Sequence, residues 1–190
     1  MPRLTDPRVS TQTQVAAGIR AAGMLARGQE EGLRLALLSM EGAARSFWAG
    51  AICLIPFLLI RAMGNDALLG AGLPVEFVGY VLGWVAFPLA SLLMVDASGR
   101  APLWPLFIAA WNWANLAQYG VLLLATLLSS VLPAGAGGLL TLVAFGYALW
   151  MEWFVAHKAL RISGARAGLF VLLDVGLGLL IASVVGRIGG

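Results

Sequence analysis

Five long apolar stretches, with basic residues gathered on only one side of them, constrain this chain more than any other feature. They run from Ser46 to Met63, Val75 to Val95, Leu106 to Val131, Gly138 to Ala156 and Gly168 to Val185. A helix needs about 20 mostly apolar residues to cross a hydrocarbon layer of about 30 Å, so these lengths suit membrane spans. The stretches are continuously apolar rather than alternating, which favours helices over a barrel. Composition agrees. The chain is 61% hydrophobic and 11% charged, against roughly 45–50% and 25% in soluble domains, an excess that reads as lipid-facing surface. The sequence therefore predicts an all-α integral membrane bundle of five transmembrane helices over residues 46–187. A basic segment, residues 1–45, precedes it.

The charges orient the bundle. Arg3, Arg8, Arg20, Arg27, Arg34 and Arg45 precede the first span, Arg100 lies in the second loop, and Lys158, Arg161 and Arg166 lie in the fourth. With five spans, all of these fall on one side and only Arg61 and Arg187 on the other. The positive-inside rule then places the N-terminus in the cytoplasm and the C-terminus outside. The polar start lacks the apolar core of a signal peptide, so the first span directs insertion. The Arg-, Ala- and Gly-rich composition points to a bacterial inner membrane, with the C-terminus periplasmic. Cys53 is the only cysteine, which excludes an internal disulfide.

Residues 11–38 have helical periodicity. At 100° per residue, Val15, Ile19, Ala22, Ala26, Leu33, Leu37 and Met40 share a face, flanked by Arg20, Arg27 and Arg34 at seven-residue spacing. An amphipathic helix with such a stripe is expected to lie on an anionic leaflet and bind its lipids, with Glu30 paired to Arg34. Gly18, Gly23, Gly28 and Gly32 weaken that helix, and a loose solvated segment is the alternative. Ser39 is placed to cap the first membrane helix.

Polar groups within the spans are the candidate functional residues, because a charge at mid-bilayer costs about 2.5–3.5 kcal/mol on insertion scales. Glu152 and Asp174 are the two acids. Asn112, Asn115 and Tyr119 recur at helical spacing on span three, with Gln118 beside them. Convergence on one pocket, opening toward the cytoplasm near Arg45, Asp96 and His157, gives a binding site or a proton path. The competing reading is interhelical hydrogen bonding, worth about 0.6–2 kcal/mol per group. Small residues at Gly79 and Gly83, and at Gly178, Ala182 and Gly186 following Asp174, mark faces for close helix packing. Most of the tryptophans suit an interfacial belt.

No metal-ligand cluster, zinc-protease helix, nucleophile elbow or phosphate loop is present in the sequence. The expectation is a non-enzymatic protein without a cofactor and without a nucleic-acid partner.

The layout resembles the Yip family, with a polar cytoplasmic N-terminal segment, five closely spaced spans and a short outer end. Tyr147-Ala148-Leu149-Trp150, followed by His157-Lys158-Ala159-Leu160-Arg161-Ile162-Ser163-Gly164, is similar to that family's fourth span and following loop. Glu41-Gly42-Ala43-Ala44-Arg45-Ser46-Phe47-Trp48-Ala49 resembles uncharacterised alphaproteobacterial membrane proteins. The resemblance implies a membrane-organising, scaffolding or partner-binding role. Membrane lipids, and another membrane protein or a second copy of the chain, are then the partners. A small transporter or channel subunit with a polar intramembrane site is the second expectation.

Overall fold

The structure, a computed structural model, describes residues 11–36, 39–64 and 72–189. Among these residues there are helices and turns and no strand. The helices are α1 (Thr11–Leu25), α2 (Met40–Ser46), α3 (Trp48–Gly64), α4 (Gly72–Ala97), α5 (Trp104–Ser129), α6 (Ala134–Leu160) and α7 (Gly164–Gly189), with short 3-10 turns at Glu30–Arg34 and Ala101–Leu103. Four helical runs are long and apolar enough to cross a membrane: Met40–Gly64, Gly72–Ala97, Ala134–Leu160 and Gly164–Ile188. Each extends beyond its apolar core into flanking polar, small or charged residues, so the helices outrun the spans read from hydropathy. The end at which α3, α5 and α7 begin is called proximal below, and the opposite end distal.

The third apolar stretch became α5. It has 26 residues, the length of a span, yet it is not among the four most apolar runs. Asn112, Asn115 and Gln118 lower its hydropathy. The same helix is the most enclosed in the bundle, packing against α1, α2, α3 and α6. Phe107, Ile108, Ala109, Ala110, Trp111, Asn112, Trp113 and Ala114 are consecutively buried. A helical stretch enclosed by protein, as residues 107–114 are, can carry an amide where a lipid-facing one cannot. The outer helices show the opposite dressing. Leu89 and Leu93 of α4, Leu139 and Leu142 of α6, and Leu172 and Leu179 of α7 are all exposed. Apolar surface on this scale is dressed for a lipid solvent rather than for water.

The N-terminal segment differs from the surface helix expected over residues 11–38. α1 stops at Leu25, and Gly28 follows with φ +71°, a left-handed turn that glycine adopts without strain. Leu37 lies outside the described residues. The buried stripe of α1 is Gly18, Ala21, Ala22 and Leu25, while Ile19 of the expected apolar face is exposed. The reason is close approach: a Cβ added to Gly18 would sit 2.0 Å from the Trp113 indole. A bare backbone on a flat ring outweighs the larger side chains one position away, so α1 packs on α5 rather than presenting that face to lipid. Glu30 does not form the expected pair with Arg34. It pairs instead with Lys158 at the end of α6, at 2.9 Å. The Tyr147 hydroxyl donates to the Ala26 carbonyl, one of those left free where α1 ends. Ser39 caps the next helix as expected, its Oγ accepting from the Gly42 N–H at 2.9 Å.

The tryptophans divide between one half of the bundle and its core. Trp48, Trp104, Trp150 and Trp153 sit in the proximal half, while Trp84, Trp111 and Trp113 are buried in the bundle core. Their aromatic packing shapes the space described next.

Candidate functional site

Bulky rings hold two helices apart. α4 packs closely on α7 but makes few contacts with α5. Phe87 of α4 stacks on Trp111 of α5 with centroids 4.5 Å apart, and Trp84 meets Trp111 edge-on at 5.9 Å. Phe107 continues the cluster proximally, 6.0 Å from Phe87. Distally, Tyr80 lies 6.1 Å from Trp84 and 6.4 Å from Tyr119. The rings fill the proximal part of the gap. In the distal part a groove of 340 Å³ remains, walled by α3, α4, α5 and α7.

Glycines keep that groove open. Gly83 of α4 and Gly178 of α7 both line it, and a Cβ at either would meet nothing within 4 Å. Only Gly79 makes the intimate contact expected of the small residues, where a Cβ would lie 2.7 Å from Val185 Cγ2. The expected packing face is thus divided: one glycine brings α4 and α7 together, and two leave a hollow beside that contact.

Two polar groups of the groove, Asp174 and Asn115, sit at about one depth. Asp174 lies ten residues into α7 and Asn115 eleven residues into α5, each about 15–17 Å along its helix axis. Tyr119 is one turn further. All three line the groove. Asn115 donates from Nδ2 to the Trp111 carbonyl of its own helix at 3.0 Å, so its amide oxygen is left for another partner. Behind Asp174 stands Glu152 of α6, its near neighbour among the acids. Glu152 Oε2 is buried without a hydrogen-bond partner.

The other two expected site residues belong to helix packing. Asn112, fully buried, donates to Ser46 Oγ of α2 at 2.7 Å. Gln118 donates to the Ala148 carbonyl of α6 at 3.1 Å. The six polar positions thus separate into a groove set, an acid behind it and two interhelical ties. The groove runs from mid-helix depth to the distal end, not beside Arg45, Asp96 and His157 as the sequence led us to expect. His157 instead faces the Ile162 carbonyl at the end of its helix and stacks on Trp153.

Sequence reasoning overlooked the mouth. Arg61, near the end of α3, forms a two-pronged ion pair with Glu76, near the start of α4. Both line the groove. The signal was available: an arginine closing one span and a glutamate opening the next face each other whenever the loop between is short.

Arg20, Arg27 and Arg34 are all exposed. With α1 ending at Leu25, they lie on a helix, a turn and a 3-10 segment rather than on one continuous face. Among the described residues, no three His, Cys, Asp or Glu side chains gather to hold a metal ion. Comparison with protein families, with curated proteins and with solved structures finds no match for this chain.

Proposed function

We propose that this chain is a non-enzymatic, multi-pass membrane protein that binds a small cationic or proton-donating solute beside Asp174, as a small transporter or channel subunit. The observation that carries this reading is the groove itself. It is a hollow at mid-helix depth, lined by an acid, an amide and a phenol, and kept open by glycines that touch nothing. Pockets with apolar walls and a few convergent polar groups are the usual form of small-solute sites. An acid retained at such depth is generally a functional one. In this reading α5 is a fifth span and the proximal end is cytoplasmic. The bacterial inner membrane is the location, and the groove opens outward beneath the Arg61–Glu76 pair. Support for the fifth span comes from the 26-residue length of α5. Support for the orientation comes from the basic residues gathered proximally.

The test is flux in proteoliposomes. The reconstituted chain is expected to move protons or a small monovalent cation. Asp174→Asn and the groove-filling Gly178→Leu are each expected to abolish movement. Gly176→Leu, on an exposed face of α7 outside the groove, leaves it intact. Flux unchanged in both groove variants contradicts the reading.

A membrane-organising or scaffolding role, implied by the Yip-like layout, is the second reading. It draws on one observation: Arg20, Arg27 and Arg34 are all exposed, free to meet anionic lipid, another membrane protein or a second copy of the chain. Binding of the full chain to liposomes that rises with anionic lipid and falls with salt supports it. Binding insensitive to both counts against it.

A further inference from the structure

A second cavity, unrelated to the groove, lies at the proximal end where α6 stops and α7 begins. It has a volume of 460 Å³ and is lined chiefly by charged side chains from two distant segments: Glu30, Glu31 and Arg34 on one side, and His157, Lys158 and Arg161 on the other. Three fixed positive charges face two carboxylates. Glu30 is committed to Lys158 at 2.9 Å. Arg34 and Arg161 form no ion pair among the described residues, so two guanidinium groups face the cleft with only Glu31 unengaged against them.

The backbone at Arg161 points the same way. This residue caps α6 with φ 53° and ψ 46°, the left-handed conformation normally left to glycine or asparagine. It is the only described non-glycine residue with positive φ. Its N–H, like that of Ile162, turns back to the His157 carbonyl. A side chain kept in a disfavoured backbone conformation is a mark of function rather than of folding economy. His157 is fixed as well. Its Nδ1 is engaged with the Ile162 carbonyl and its ring is stacked on Trp153, which leaves Nε2 unengaged. The end of α6 presents the negative pole of a helix dipole, and the start of α7 presents a positive one that offsets it.

Paired guanidinium groups recognise phosphate through parallel N–H···O bonds. Basic pockets at the ends of membrane helices seat phospholipid headgroups. We infer that this cleft binds the phosphate of an anionic phospholipid headgroup, with Arg34 and Arg161 as its ligands and Glu30 as a built-in competitor that occupies Lys158. The inference stands apart from the groove and does not depend on it.

The test uses the full chain in nanodiscs of phosphatidylcholine with and without phosphatidylglycerol. Co-purified anionic lipid is counted by native mass spectrometry. The Arg34→Gln, Arg161→Gln double variant is expected to retain about tenfold less anionic lipid, the scale of a lost charge-assisted contact. Glu30→Gln is expected to retain more than the parent chain. Arg161→Gly removes the side chain while suiting the left-handed backbone, so it folds at least as well as the parent chain and still loses lipid. Unchanged retention in both arginine variants overturns the inference. So does inorganic phosphate, added alone to delipidated protein, protecting the cleft as well as the lipid does, since the ligand is then free phosphate.

Discussion

Gly18 of α1 rests on the indole of Trp113 so closely that no side chain fits between them. This contact turns a segment that reads as a peripheral helix into part of the bundle. Trp113 is itself almost fully buried, so the ring has nowhere to swing. Gly18→Leu is therefore expected to displace α1 from α5. Overpacking of this kind costs about 1–3 kcal/mol. The expected result is a lower thermal midpoint in detergent together with faster proteolysis within residues 11–36. Trp113→Ala in the same chain should restore part of the docking. An unchanged digestion pattern in Gly18→Leu means that α1 is not seated there.

The polar residues of the core should separate by consequence. Asn112→Ala and Gln118→Leu each break a bond between helices, and each should lower stability by about 0.6–2 kcal/mol while leaving solute movement intact. Asn115→Leu and Tyr119→Phe, which break no hydrogen bond between helices, should lower stability less and impair movement. Paired measurements of thermal unfolding and flux decide this, and the reverse pattern refutes the division.

The tie between the N-terminal segment and α6 depends on pH. The Lys158 ammonium beside Glu30, through hydrogen bond and charge, holds that carboxyl below its usual range. A depressed folded value means that the contribution is present at neutral pH and is lost as pH falls through the depressed value. Amide exchange across residues 26–36 should thus stay flat from neutral pH down to the ordinary carboxylate range and accelerate only below it, after correction for the intrinsic exchange rate. Glu30→Gln should remove that acid-induced step. A step at higher pH instead means that another group is responsible.

Much of the helical layout was legible in the sequence because hydropathy reports solvent preference directly. Each apolar stretch became a helix, and Ser39 capped where a serine side chain can. What could not be read was what faced what. Asn112, Asn115, Gln118 and Tyr119 look equivalent along one helix. Their neighbours divide them, since Ser46 and the Ala148 carbonyl on other helices each meet an amide, while Asn115 turns back to the Trp111 carbonyl of its own helix. Gly18, Gly79, Gly83 and Gly178 look alike as well. Whether a glycine admits a neighbour or leaves a hollow depends on the bulk opposite it, here the Trp113 indole or the gap between α4 and α5. The hydrophobic face of α1 was legible in part: Val15 and Ala22 pack inward and Ile19 does not, and periodicity, which weighs side chains, missed Gly18, which packs through having none.

The proposed topology makes a separate claim about α5. Reporter fusions after Gly99 and Gly164 should give a cytoplasmic signal, and fusions after Gly135 and Gly190 a periplasmic one. A cytoplasmic signal at both Gly135 and Gly190 removes α5 from the set of spans.

The groove is the centre of this account, and its accessibility can be measured directly. In a Cys53→Ala background, Gly83→Cys and Gly178→Cys place thiols where a new Cβ meets nothing. Leu172→Cys places one on the exposed apolar face of α7. A charged, membrane-impermeant thiol reagent needs water and a thiolate to react. Added outside sealed cells, it should label Gly83→Cys and Gly178→Cys and leave Leu172→Cys unmodified. If neither groove position reacts, or if they react only when the reagent is admitted from the cytoplasmic side, no outward-facing site exists and the account is contradicted.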